Sequence, residues 1–437
     1  MNFVTSGDFS TGAGGRTVFS LKDAVNGCIV PETGELLMPE RIPVIPRAYL
    51  NNMPGMNLRE IAFVIMRQFF DDIPSSELND MVRRAFAADI PLVPLPGVPG
   101  VWLEEMFHGP TLSFKDYGAA MQAELMAYFD RQEAKSTLRT VLVATTGNAG
   151  MAAAEAMRAL PGTRTLVLYP RLTLPKLHQR FLGAMGPTVI PVEVDGNIDQ
   201  CRALVKGAMA DRALGDSLRL TGGNSINIAR LLPQITFFFH AVASLRREGS
   251  EKPVEFFIPT GNMSNLVAAA IAVRMGLPVQ AIYACGNSLD IPGRIFRGQG
   301  PIEPSQRSYA PALTVGLPTN YCRLLALGDF GGLIRATSAS DADIARVVRM
   351  YRNFNGVGIS PHTAAALLPA IENPDPDTER IVLATEHPAK SLETMTAITG
   401  SPVELPFQIM RLYKASTTRP VHMAPTLPAL VKTIENL

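Results

Sequence analysis

Apolar residues recur three and four positions apart from Leu58 to Phe70 and from Glu77 to Ala87, which predicts two amphipathic helices. The pattern then breaks. Ile90 to Val101 holds Pro91, Pro94, Pro96 and Pro99 with Gly97 and Gly100, and reads as a linker. Beyond it, short continuous apolar runs alternate with helical periodicity. Strands are predicted at Thr140–Ala144, Thr165–Tyr169, Thr188–Val194, Val254–Ile258 and Val279–Ala284. Helices are predicted at Ala149–Leu160, Leu174–Met185, Ile198–Ala210 and Leu266–Met275, the last ended by Gly276 and Pro278.

Continuous apolar strands between helices imply parallel sheets covered on both faces, an α/β fold. The expected organisation is an N-terminal helical unit over residues 1–100, then two parallel-sheet subdomains over 101–223 and 224–437. Sites in such sheets lie at the carboxyl ends of strands, where loops meet helix N-termini. No internal repeat is visible, and the only biased segment is the turn-rich run Asn373 to Asp377.

Composition narrows the function classes. Of the residues 47% are apolar and 18% charged, as in a compact globular chain, and 40 basic side chains nearly cancel 39 acidic ones. This balance gives no reason to expect nucleic acid or an anionic membrane as partner. The cysteines, Cys28, Cys201, Cys285 and Cys322, lack the close spacing of a zinc or redox pair and read as buried free thiols. Met1 to Thr17 lacks the basic and apolar regions of a secretory signal, and Leu266 to Val273 is too short to span a membrane. A cytoplasmic enzyme acting on a small molecule is expected.

The chemistry centres on His108-Gly109-Pro110-Thr111-Leu112-Ser113-Phe114-Lys115-Asp116. Lys115 stands between an aromatic residue and an acid, after a turn and at the mouth of an alanine-rich helix. A lysine fixed there can be desolvated, lose its proton and attack a carbonyl. The same run is compatible with a solvated lysine opening an ordinary helix. Pro259-Thr260-Gly261-Asn262-Met263-Ser264-Asn265 lies between strand and helix, and its backbone N–H groups can cradle a phosphate. It lacks both the Walker ending and the dinucleotide glycine spacing. Thr145-Thr146-Gly147-Asn148-Ala149-Gly150 can hold a substrate carboxylate, or Thr146 or Asn148 can cap the next helix. Asn224 or Ser225 can cap another helix, with Arg230 placed to bind an anion or merely exposed. The lysine and the two glycine loops together point to pyridoxal phosphate (PLP). His362 and His387 have no accompanying carboxylate cluster, so no metal site is expected.

Taken in order along the chain, these segments resemble the threonine synthase family, PLP enzymes of fold type II. The resemblance implies that Lys115 is the catalytic Schiff-base residue and that Phe114 packs by the cofactor ring. It implies that Gly261, Asn262, Met263, Ser264 and Asn265 bind the cofactor phosphate and that Thr385 meets the pyridine nitrogen. Thr145, Thr146, Gly147, Asn148 and Ala149, with Asn224, Ser225 and Arg230, are the implied substrate-binding residues. Asn320 and Arg323 keep part of another family run. On this resemblance the 1–100 unit is the family's N-terminal domain, 101–223 carries the lysine and 224–437 the phosphate loop.

Some positions depart from the family. Its Ser-Gly-Asp-Thr-Gly loop reads Thr146-Gly147-Asn148-Ala149-Gly150, losing an acid and a hydroxyl. Leu172 to His178 replaces a Gly-x-Ile-Ser-x-x-Gln run, and Ser264-Asn265 replaces Gly-Asp. The implied reaction is a PLP-dependent carbon–oxygen lyase reaction, O-phospho-L-homoserine and water giving L-threonine and phosphate in a monomer or homodimer. The departures keep two alternatives in view: an enzyme of altered outcome, giving 2-oxobutyrate or using another nucleophile, and an inactive PLP-fold regulatory subunit.

Overall fold

The computed structural model describes residues 1–11, 17–133, 138–171, 173–300, 308–355, 358–372 and 375–437. Leu172, part of the Met1–Thr17 stretch and part of the Asn373–Asp377 run lie outside the described residues. The strands are β1 (Phe3–Thr5), β2 (Leu37–Pro39), β3 (Leu92–Pro94), β4 (Val101–Glu105), β5 (Arg139–Ala144), β6 (Thr163–Pro170), β7 (Val189–Val194), β8 (Leu220–Gly222), β9 (Val254–Pro259), β10 (Ala281–Gly286), β11 (Ile334–Ser338), β12 (Glu379–Ala384) and β13 (Val421–Met423).

A five-stranded sheet runs β13-β7-β6-β5-β8, all parallel. A six-stranded sheet runs β11-β10-β9-β12-β4-β3, parallel except for the antiparallel β3–β4 edge. The sheets do not divide the chain at residue 223. β4 sits beside β12 in the larger sheet, and β13 returns near the C-terminus to the smaller one. The proline-rich stretch read as a linker also holds β3. Pro94 falls in this edge strand, where a missing N–H costs no ladder bond.

The predicted helices form at Leu58–Arg67, Ser75–Ala85, Asn148–Met157, Lys176–Gly183, Ile198–Ala210 and Ser264–Arg274. Asn57 with Glu60 and Asn197 with Gln200 form capping boxes that fix where two of them begin. The N-terminal helices share a continuous core with the rest of the chain, through Ile61, Phe69, Phe70 and Met81. Tyr117 locks this junction, its ring centroid 5.4 Å from Phe86 and 5.5 Å from Phe237. The consecutive helical segments Ile228–Arg247 are long and apolar enough to cross a membrane, and they are buried inside the core. Cys28, Cys201 and Cys285 are buried as expected, whereas Cys322 is exposed.

Candidate active site

The ends of β5, β9 and β12 meet at a cavity of about 720 Å³. Every residue singled out for cofactor or substrate lines it: Phe114 and Lys115, Thr145 to Ala149, Asn224, Ser225 and Arg230, Gly261 to Asn265, and Thr385.

The Lys115–Glu133 helix opens into this cavity, and backbone pairing sets its start. Ser113 and Glu386 form an antiparallel bridge. The Phe114 N–H donates to Thr385 O at 3.0 Å, and the His387 N–H to Leu112 O at 3.1 Å. Asp116 accepts from the Thr111 N–H at 2.9 Å and from the Thr111 hydroxyl. Lys390 Nζ donates to Thr111 O at 2.8 Å. The lysine run is thereby tied at both ends to the segment that follows β12.

Lys115 Nζ lies 5.0 Å from the Phe114 ring centroid. It has no hydrogen bond or ion pair among the described residues. Burial, with the positive charges of Arg230 and Arg202, lowers its pKa to about 8 against the pull of Glu386. A useful share of the amine is therefore neutral near physiological pH, the form that attacks a carbonyl.

Two loops of unsatisfied N–H groups face this amine. None of the N–H groups of Gly261 to Asn265 finds an acceptor among the described residues, and they lead into the Ser264–Arg274 helix. That is an anion cradle at a helix N-terminus. Met263 turns through φ +60 to form it. Gly261 is required for a reason the sequence did not show: a Cβ there would run into the Ala312 carbonyl oxygen. In the second loop the N–H groups of Thr146, Asn148 and Ala149 are likewise free, beside the exposed Thr146 side chain. Thr145, not Thr146 or Asn148, anchors this turn, its hydroxyl accepting from the N–H groups of Gly147 at 2.9 Å and Gly150 at 3.0 Å.

The 224–230 segment differs from its sequence reading. Asn227 caps the Ile228–Leu231 helix, accepting from the Ala229 N–H at 3.0 Å. Asn224 clamps the end of β5, exchanging two 2.9 Å bonds with the backbone of Ala144. Ser225 Oγ accepts from Asn320 Nδ2 at 2.9 Å and Asn262 Nδ2 at 3.3 Å. Arg230 is buried, not exposed, and bonds Gly223 O. It lies close to the lysine helix because residue 118 is glycine: a Cβ there would sit 2.5 Å from Arg230 O. Behind this segment Arg323 is fully buried and donates to Leu37 O, Ser225 O and Ile226 O at 2.7–3.1 Å, and to Asn320 Oδ1 at 2.8 Å.

Sequence reading passed over a polar cluster on the cavity wall. Glu386 Oε1 accepts from His362 Nδ1 at 2.8 Å and from Ser391 Oγ at 3.1 Å, and its Oε2 accepts from Asn148 Nδ2. The Ala312 N–H donates to His362 Nε2 at 3.0 Å, so that nitrogen carries no proton and Nδ1 donates to Glu386. Burial opposes the charge on Glu386, but these donors and nearby Lys390 hold its carboxyl below the usual range. Burial lowers Lys390 itself to about 8 and His178 to about 3. The available signal was position: Glu386 follows Thr385 at the carboxyl end of a strand.

Residues 85–384 match the family described as pyridoxal-phosphate dependent enzymes, and residues 9–86 match the threonine synthase N terminus. The chain is 32% identical to the threonine synthase of Escherichia coli K12 over 384 residues, 86% of this chain and 87% of that one. The crystal structure of the E. coli threonine synthase superposes over all of both chains with a TM-score of 0.91 at 29% identity. The PLP-bound threonine synthase of Brucella melitensis gives 0.88 at 26% identity, over 100% of this chain and 99% of that one.

Proposed function

Since the chain belongs to the threonine synthase family of pyridoxal-phosphate-dependent enzymes, we propose that it converts O-phospho-L-homoserine and water to L-threonine and phosphate, as a carbon–oxygen lyase. The observation that carries this reading is the placement of the unpartnered Lys115 amine between two loops of free N–H groups in one cavity. The residues fit PLP. The 261–265 cradle suits its phosphate, the Lys115 amine its aldehyde, and the Thr385 hydroxyl, which has no protein partner among the described residues, its ring nitrogen.

When bound, the cofactor supplies an electron sink for the bonds at Cα. This chain's own residues do the rest. The free N–H groups of Thr146, Asn148 and Ala149 orient the substrate carboxylate. Arg230, with Ser225 beside it, holds the γ-phosphate, a doubly charged group matched to a guanidinium. The Lys115 amine, neutral in part near pH 8, takes the proton from Cα and serves the later proton transfers. In the balanced reaction Cα and Cβ each release a proton, the Cγ–O bond breaks and phosphate leaves with one proton, Cγ and Cα are reprotonated, and water adds its hydroxyl at Cβ and releases its other proton. A neutral Thr385 hydroxyl would hold the ring nitrogen without protonating it, which suits elimination and replacement better than transamination.

The test is incubation of the PLP-loaded enzyme with O-phospho-L-homoserine, with phosphate, threonine and 2-oxobutyrate assayed separately. Threonine in step with phosphate is expected. Phosphate matched by 2-oxobutyrate would assign the altered outcome instead, and no phosphate would leave the regulatory-subunit reading. A cytoplasmic monomer or homodimer goes with this proposal, and light scattering measures which.

A further inference from the structure

Asn148 and Glu386 come from different sheets. Asn148 opens the helix after β5, and Glu386 follows β12. Their side chains meet across the cavity wall, Asn148 Nδ2 donating to Glu386 Oε2. The amide must face this way, because its oxygen would be repelled by a carboxylate. The other carboxylate oxygen is filled by His362 and Ser391. His362 in turn receives the Ala312 N–H, and the Ala312 carbonyl presses on the phosphate loop at Gly261. One chain of contacts therefore joins the substrate loop, the segment that positions Lys115 and the cofactor-phosphate loop, with a single carboxylate at its centre.

We propose that Glu386 is a positioning residue and that Asn148 and Glu386 form one unit across the cavity whose joint charge must stay at minus one. The inference rests on the threonine synthase reading only for its activity assay. It accounts for the asparagine at 148 in a loop that otherwise resembles one bearing an acid: here the acid comes from the opposite wall. A carboxylate at both positions would bring two like charges into contact inside a buried network, where one must take up a proton or the walls must part.

The unit can be inverted without losing a bond. In the double variant Asn148→Asp/Glu386→Gln, the new amide oxygen at 386 accepts from His362 Nδ1 and Ser391 Oγ. Its NH2 donates to the new carboxylate at 148. The charged and titratable groups facing the pair are His362, His178, Lys390, Lys115 and His387, and none of them changes.

The experiment compares the parent enzyme with Asn148→Asp, Glu386→Gln and the double variant. It reads kcat/KM with O-phospho-L-homoserine, the Kd for PLP and the thermal midpoint of the apo-protein. Asn148→Asp should lose kcat/KM by roughly thirtyfold and Glu386→Gln by roughly tenfold, while the double variant recovers to within about threefold of the parent, a coupling of the size found between contacting residues. Asn148→Asp alone should regain activity as the pH falls, because its extra carboxylate takes up a proton, and neither the parent nor the double variant should follow that profile. The PLP Kd should rank the four proteins in the same order, and this holds even if phosphohomoserine is not the substrate. Should Asn148→Asp not fold, Glu386→Gln against the double variant still decides, since the acid at 148 must then help rather than harm. A double variant no better than the poorer single, or Asn148→Asp equal to the parent, overturns the proposal.

Discussion

Glu104 and Glu386 are two buried carboxyl groups, one within and one just beyond neighbouring strands of the same sheet, and their surroundings push them in opposite directions. Glu104 lies within β4, opposite Leu383 of β12, and Glu386 comes just after β12 ends. Both are almost completely inaccessible to solvent. Neither oxygen of Glu104 has a hydrogen-bond partner among the described residues, and the His240 ring nitrogen stands off at 3.9 Å. Burial therefore raises its pKa well above the ordinary value and favours its neutral form. Glu386 is equally buried, but three side chains donate to it and it stays charged. Burial does not decide the charge of an acid; the donors brought to it do. Donors gather at the carboxyl ends of strands because loops and helix starts converge there, whereas the middle of β4 meets the flank of the Ile235–Arg247 helix.

The sharpest way to break this comparison is to remove each carboxyl group. Glu386→Leu strands the donors of His362, Asn148 and Ser391 in a buried wall and should cost roughly 3–5 kcal/mol of unfolding free energy in urea titration. Glu104→Leu strands no donor and should change stability far less. Equal losses would mean that the two sites differ in name only.

A smaller effect concerns Lys115, which feels Glu386 and not Glu104. In apo-enzyme the rate of covalent recombination with PLP, trapped by borohydride, should follow the neutral amine and so rise through about pH 8. Glu386→Gln removes a charge that stabilises the ammonium, so the midpoint should move down by up to about one pH unit. Glu104→Gln should leave the midpoint in place, and Lys115→Ala should give no trapped adduct.

The smallest effect is on stability alone. The native pKa of Glu104 is raised above its unfolded value of 4.5, so the native state holds its proton longer than the unfolded chain. Stability is then lost as pH rises from that value toward the native pKa. Glu104→Gln escapes this loss. Its advantage should grow with pH above about 4.5 until the native pKa is passed, read as a higher thermal midpoint. A flat difference across pH would show that Glu104 is charged after all.

Much of this was legible in the chain. The Ile198–Ala210 helix has the bounds its periodicity predicts, and the residues named for cofactor and substrate line one cavity. What escaped depends on contacts between distant segments. β3 was hidden because prolines suit an edge strand as well as a linker. Asn224 carries the residue type of a cap, yet its side chain clamps β5, and nothing within its own segment distinguishes the two uses. The His362–Glu386 pair joins the start of the Pro361–Glu372 helix to the segment after β12, 24 residues on, so its members meet only once helix and strand have packed. A histidine read alone shows no carboxylate near it.

The Arg323 guanidinium has a consequence for how the protein is made. It binds backbone carbonyls at residues 37, 225 and 226. On the ribosome those carbonyls emerge first, and they wait for a cation synthesised much later. Chains fold from the N-terminus as they emerge, so Asn227 can already bond Val25 O early on, whereas the carbonyls at 37, 225 and 226 gain their shared cation only after residue 323 has left the exit tunnel. A nascent chain released before that point holds the lysine and both anion-binding loops, but leaves these three carbonyls without their guanidinium.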